Sequence, residues 1–416
     1  MTAPAEVAPR IATLDIVRGV AVLGILAMNA ITFAMPEAAA LNPAAYGGTD
    51  GLDLAAWAVG FVLVEGKMRG LFSLLFGASL LLVVESAEAK GERGAAVHYR
   101  RMLWLALFGA AHLYLVWPGD ILLHYALVGA VAFLFRGLGI ARLGLWIVIL
   151  LVYQLAVMGG LSVLLLEAAA EAARAGADAG ALQLWQELRT GLVPLAPAEL
   201  AQDLALHRGG WWPLVEARVA EHGGTPQLAL MISGAETLAY MLMGMAALRS
   251  GLLTGAWQPG RYRWIALSGL ALGGAGSAAL AVLMIRGGFD PATMFAAGQG
   301  ATVPLRPPMI VGYVALIILL ARHRGWLTER LAAAGCAAFT NYLGASLLMA
   351  LLFYGYGFGL YGRLGRAELY GVVFAVWALM LLWSKPWLAR YRYGPFEWLW
   401  RSLARWQLQP MRRLPA

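Results

Sequence analysis

The chain has 416 residues, 61% of them apolar and only 13% charged, and its mean hydropathy is +0.70. Ordinary soluble domains run near half apolar and about a quarter charged, so the composition excludes a soluble enzyme and predicts an all-α, polytopic membrane helix bundle. The formal net charge of +8 is dispersed between hydrophobic stretches, which fits basic loops on a lipid bilayer and not a nucleic-acid partner.

The first apolar run covers residues 14–35. Arg10 before it and Ala38-Ala39-Ala40 after it mimic a signal peptide, but Asp15 and Arg18 inside its start are foreign to a secretory segment, so an uncleaved span is expected. The next run, 54–84, is interrupted by Glu65-Gly66-Lys67-Met68-Arg69-Gly70 and is either one long kinked span or two short ones. Gly66, Gly70 and Gly77 here suggest a re-entrant or unwound segment. Further runs cover 102–117, 121–135, 143–166, 228–248, 264–285, 309–320, 332–356 and 370–383.

Basic connections orient these runs. Lys90, Arg93, Arg100 and Arg101 form one, Arg136 and Arg142 another, then Arg249, Arg261 and Arg263, then Arg322, Arg324 and Arg330. With alternating crossings all fall on one side, together with the Arg-rich tail 386–416, and that side is assigned to the cytoplasm. Counting the interrupted run once gives ten spans, and counting it twice gives eleven. The loop 37–53 is acidic without Lys or Arg, which favours ten. The chain then reads as one membrane domain over 1–416: helices in 14–166, an outward segment 168–226, helices in 227–385 and a cytoplasmic tail. In the outward segment Leu182, Trp185 and Leu188 stand at helical spacing, with breaks at Pro194, Pro197 and Pro213 and with Trp211 and Trp212 at the interface. It is either a lid or a passive interfacial loop.

Ionisable side chains within spans cost about 2.5–3.5 kcal/mol on insertion scales, so those retained are site candidates. Asp15 and Arg18 share a helix face and form a pair, and Asn29 returns to nearly the same face. Lys67 and Arg69 either snorkel to the surface or bind an anionic group. His112 lies close to a turn in which Pro118-Gly119 lets Asp120 fold back. A carboxylate on the imidazole fixes its tautomer for general-base work, and the same groups would serve a proton relay. His124, four residues after Asp120, is the second candidate partner. Glu236, Thr340, Asn341 and Tyr342 either line a cavity or lock helices together. No histidine spacing indicates a metal, and the single Cys336 excludes an intrachain disulfide.

The stretch Leu14-Asp15-Ile16-Val17-Arg18-Gly19 through Asn29 resembles the opening of the YeiB-like bacterial inner-membrane family, also called domain of unknown function 418. Matches continue with Lys67 and Leu71-Phe72-Ser73-Leu74-Leu75-Phe76-Gly77-Ala78, then Arg100-Arg101, His112, Gly119-Asp120-Ile121-Leu122 and Tyr125-Ala126. Thr340-Asn341-Tyr342-Leu343 and Gly394-Pro395 with Glu397-Trp398-Leu399-Trp400-Arg401 complete them, over nearly the whole chain. Two positions depart: Cys336 stands where the family has arginine, and Ala345 where it has glutamine. The Leu-Asp-x-x-Arg-Gly opening is in turn distantly similar to the transmembrane acyltransferase group, which includes bacterial polysaccharide O-acetyltransferases and has a histidine where this chain has Asn29. The resemblance implies an inner-membrane acyltransferase with no permanently bound cofactor.

On that reading an acyl-CoA co-substrate meets the cytoplasmic side, with Arg100, Arg101, Lys67 and Arg69 as its anion-binding residues. His112, oriented by Asp120, deprotonates a glycan, lipid or small-molecule acceptor. Asn29, or Asn341 with Tyr342, stabilises the oxyanion, and Tyr125 and Glu236 line the site. The alternative is a proton-coupled transporter in which Asp120, His112 and Glu236 form the proton path and Lys67 and Arg69 attract an anionic solute.

Overall fold

The computed structural model describes residues 12–323 and 325–413, so Arg10 and Arg324 lie outside the described residues. The described residues are helical throughout, without a strand: α1 Ala12–Ala34, α2 Ala38–Leu41, α3 Gly51–Leu63, α4 Lys67–Glu88, α5 Gly94–Leu115, α6 Leu122–Ala132, α7 Ile140–Ala172, α8 Ala179–Leu188, α9 Pro197–His207, α10 Trp211–His222, α11 Thr225–Arg249, α12 Pro259–Arg286, α13 Pro291–Phe295, α14 Arg306–Ala321, α15 Trp326–Cys336, α16 Ala338–Phe353, α17 Arg366–Arg390 and α18 Pro395–Arg405.

Among the described residues six elements are long and apolar enough to cross a membrane, or eight if each of two bent pairs is one span. α5 and α6 fall outside that number. α5 carries Arg100 and Arg101 within its length, and α6 with its terminal turn, 14 residues, reaches only about 21 Å at 1.5 Å per residue.

Helices that are apolar all round must be covered by protein or by lipid. α1 takes the first course, with 72% of its apolar window buried, and α7 the second, with 17%. α7 therefore leaves Leu145, Val148, Ile149 and Val152 exposed as a lipid-facing surface. Close backbone approach holds the inner helices together. A methyl group on Gly77 of α4 would sit 1.9 Å from the Met241 carbonyl oxygen, and one on Gly244 of α11 1.7 Å from that of Leu74. Gly77 is thus a packing contact in an intact helix, not part of an unwound segment.

The unwinding is confined to Val64-Glu65-Gly66, between α3 and α4. Gly66 has φ +70°, a left-handed conformation natural to glycine. Lys67, 1% exposed, turns back so that its Nζ donates to the Phe61 carbonyl at 2.6 Å, satisfying the end of α3. It does not snorkel. The two helices continue as one 38-residue apolar element, Gly51–Glu88.

The bent pairs break inside the bundle, where freed backbone groups need partners. α13, extended by a wider turn to Ala301, meets α14 at 57°, and α15 meets α16 at 84°. At the second break the Glu397 carboxylate accepts the backbone N–H groups of Phe339 (2.6 Å) and Thr340 (3.0 Å), together with the Thr340 hydroxyl. Asn341 Nδ2 donates to the Ala334 carbonyl at 3.0 Å.

Loop 37–53 and the segment 168–226 meet at one end of the bundle. Asn42 Nδ2 donates to the carbonyls of Leu192 (2.9 Å) and Phe289 (3.0 Å), and Arg208 Nε donates to that of Tyr361 at 2.8 Å. α8, α9 and α10 form this segment. Pro197 starts α9 and Pro213 lies in the first turn of α10, so these prolines open helices more than they break them. At the opposite end Arg249 donates to the carbonyls of Arg136 and Leu138, Arg322 to that of Trp257, and Trp400 to that of Arg101. By the charge rule the basic end would be the cytoplasmic one. In a Cys336→Ser background, cysteines at the exposed positions Asp50 and Ala175 should both react with a membrane-impermeant maleimide added outside. Protection of either one would reject this orientation.

Candidate functional site

At the basic end α1, α4, α5, α6, the end of α15, α16 and α18 enclose a cavity of about 280 Å³. Arg18, Arg101 and Arg401 supply its charge, while Phe72, Phe76 and Met102 give it an apolar wall. Arg18 is held by Asp15 (3.1 Å) and by the Ser79 hydroxyl (2.9 Å), so the sequence-derived pair exists and faces this cavity. Arg101 stacks on Trp400, 4.1 Å from the ring centroid. Arg100 does not join it: its Nε donates to Ala96 of its own helix, and consecutive helical residues point about 100° apart. Burial pushes the Glu397 carboxyl above the usual carboxylate range, against the pull of the Thr340 hydroxyl and the backbone N–H donors.

Tyr125 and Tyr342 also line the cavity. The Tyr342 ring lies 5.4 Å from the His112 imidazole. His112 Nδ1 is 2.8 Å from Asp120 Oδ1, and the two side chains are 2% and 0% exposed. The break after α5 folds Asp120 back as expected. Its second oxygen accepts the Leu123 N–H at 2.8 Å, so the same carboxylate starts α6. His112 Nε2 is buried and has no partner among the described residues. The pair is sealed, one side chain removed from the basic-end cavity. His124 is not its member, because its Nε2 pairs with Thr237 Oγ1 at 3.0 Å. Asn29 and Tyr342 share a smaller void of about 10 Å³, about one water in size.

A second cavity, about 290 Å³, lies toward the end opposite the basic one, which the charge rule would put outside, and is bounded by α1, α3, α4, α11, α14 and α17. Glu236, 1% exposed, sits behind it between two guanidinium groups. Arg69 reaches Glu236 Oε2 at 2.5 Å and Arg306 reaches Oε1 at 2.9 Å. The Tyr240 hydroxyl donates to Oε1 at 2.8 Å, and Arg306 also donates to the Gly298 carbonyl. Ordered this way, Glu236 is the anchor of two cations and not a member of the His112–Asp120 pair. A thin partition separates the cavities: the Tyr125 hydroxyl, in the wall of the first, is 2.8 Å from the Ser73 hydroxyl and 3.0 Å from the carbonyl of Arg69, which lines the second.

The four residues expected to hold one anionic co-substrate therefore divide. Arg101 belongs to the basic-end cavity and Arg69 to the outward one, Arg100 to neither, and Lys67 is spent on the Phe61 carbonyl. Asn341 is occupied as well, donating to Ala334 and to Ser384 Oγ (3.2 Å) and accepting from Trp383 Nε1 (2.8 Å). It locks the α15–α16 break to α17 and has no group left for an oxyanion. Sequence reasoning missed Arg306, Arg366, Glu397 and Arg401. For the first two a signal was present, since arginines at the span ends away from the basic connections run against the charge rule.

A family model described as a protein of unknown function, DUF418, matches residues 247–407. YeiB of Escherichia coli K12 is 34% identical over 400 residues, covering 94% of this chain and 95% of its own. The chain belongs to the YeiB-like DUF418 family. YxaH of Bacillus subtilis 168 is 30% identical over 432 residues, covering 97% and 96% of the two chains. A protein encoded beside an amylase gene in Bacillus acidopullulyticus is 23% identical over 406 residues. No solved structure matches. The DUF418 match takes in Arg306, Tyr342, Arg366, Glu397 and Arg401, while His112 and Asp120 lie outside it and inside the span shared with the longer matches.

Proposed function

We propose that this DUF418 protein is an acyltransferase of the bacterial inner membrane, moving an acyl group from a cytoplasmic acyl-CoA type donor to an acceptor. The observation that carries the reading is the basic-end cavity, with arginines on its wall and a histidine–carboxylate pair one side chain beyond it. Its volume is at the lower end for ligand sites, suited to a slender acyl-pantetheine arm whose phosphates stay with Arg101 and Arg401. Asp120 holds the Nδ1 proton of His112, leaving Nε2 as the base that takes the acceptor's proton once Tyr342 moves aside. The fold reading that goes with it is ten crossings, with α5, α6 and each bent pair counted as one and α3–α4 as one.

A second reading, a proton-coupled exporter of an anionic solute, is favoured by the two cavities facing each other across the Tyr125–Ser73–Arg69 partition. One experiment separates them. Acetyl-CoA added to the purified protein should bind saturably, and Arg101→Gln should weaken it tenfold or more, as loss of a charge-assisted hydrogen bond of about 1.5–3 kcal/mol requires. Absence of binding, with proton-coupled solute flux in proteoliposomes, would select the exporter.

A further inference from the structure

The outward cavity contains more positive charge than its carboxylates balance. Arg69, Arg306 and Arg366 line it, and Lys67 lies buried behind Phe61 in its wall. Opposite them stand Glu65 in the wall and Glu236 behind it. Counting also Asp53, which is not in the lining and accepts the Ala367 N–H at 2.7 Å, still leaves the cations in excess. Arg306 and Arg366 are 5% and 3% exposed, and the Nε of each is buried and has no partner among the described residues. Buried guanidinium groups are expensive unless each charge and donor finds a counterpart. Arg366 spends Nη2 on the carbonyls of Ala39 (2.9 Å) and Tyr46 (3.3 Å), neutral groups that orient it without cancelling its charge. The remaining wall is apolar and aromatic, with Met28, Ile31, Trp57 and Tyr370.

We infer that this outward cavity binds the anionic group, a phosphate or carboxylate, of an amphipathic ligand whose apolar part lies along Trp57 and Tyr370. A guanidinium cluster matches such an oxyanion in shape as well as charge. The assignment deepens the acyltransferase reading, on which the acceptor would be acidic and enter from outside. The binding itself does not depend on acyl transfer, so the two fail separately.

The probe is phenyl phosphate, compared with phenol at equal ionic strength. Its binding to the full chain in phosphatidylcholine nanodiscs is followed by tryptophan fluorescence and thermal unfolding, without acyl-CoA. Wild-type protein should bind phenyl phosphate saturably and phenol at least tenfold more weakly. Gln299→Glu and Ser233→Asp each place a carboxylate in the half-buried wall without removing an arginine, and each should weaken phenyl phosphate at least tenfold while the protein still unfolds cooperatively. Repeating the titration in discs containing phosphatidylglycerol distinguishes the sources. Unchanged affinity indicates a soluble anion, and competitive loss indicates a lipid headgroup, both supporting an anion site. No saturation in either disc, or equal binding by wild type and both variants, overturns the inference.

Discussion

Glu236→Ala should be the most damaging single substitution for stability, costing about 3–5 kcal/mol, the usual effect of leaving a buried charge without its partner. The carboxylate is 1% exposed and holds Arg69 and Arg306 from opposite oxygens, with Tyr240 as a further donor. Removing it leaves two guanidinium groups facing each other inside the bundle. Replacing all three charged residues by apolar ones, Glu236→Leu with Arg69→Met and Arg306→Met, should recover much of the loss, because desolvation of all three charges disappears together. Survival of monodisperse protein after heating in detergent measures both. A Glu236→Ala protein as heat-resistant as wild type would mean that the network is not a buried charge cluster.

On the acyltransferase proposal, His112→Ala should lower acyl transfer by about 10²–10⁴-fold, the range expected for loss of a positioned general base, with expression unchanged. Asp120→Asn should cost activity too, because an amide no longer favours the tautomer with the proton on Nδ1. The asparagine oxygen can still accept the Leu123 N–H, so the start of α6 survives. That separates chemistry from folding: loss of activity with normal yield marks a catalytic pair, and loss of yield in both variants a structural one. Acyl transfer from labelled acetyl-CoA in membranes containing equal amounts of each variant is the measurement. Tyr342→Phe keeps the ring against His112 and should have a smaller effect than either.

What the sequence made legible follows from the range of the forces concerned. Apolar runs mark helices because each must face lipid or core, and the Asp15–Arg18 and His112–Asp120 contacts were readable because three or eight residues of known geometry join them. Of the two roles open to Asn341, helix locking is the one found, but which helices it locks was not legible, because the break before it lies in Gly335-Cys336-Ala337-Ala338, which contains no proline to announce it. The exposed carbonyl it satisfies is visible only in three dimensions. Glu397, Trp400 and Arg401 were set aside in a basic tail, although i, i+3 and i+4 share one helix face. Their role needs the distant α5 and α16 to supply the other wall. Arg306 and Glu236 are 70 residues apart, and no local pattern pairs them.

The Glu397 cap on α16 has a temporal side. Phe339 and Thr340 are 58 and 57 residues upstream of the carboxylate that accepts their N–H groups. At a synthesis rate of about 5–20 residues per second, those amides wait several seconds on the ribosome before their acceptor is made. Water or the insertion machinery must host them meanwhile, so the sharp turn between α15 and α16 can close only near the end of translation. The basic-end cavity, whose wall includes that turn and α18, is therefore among the last parts of the molecule to take shape.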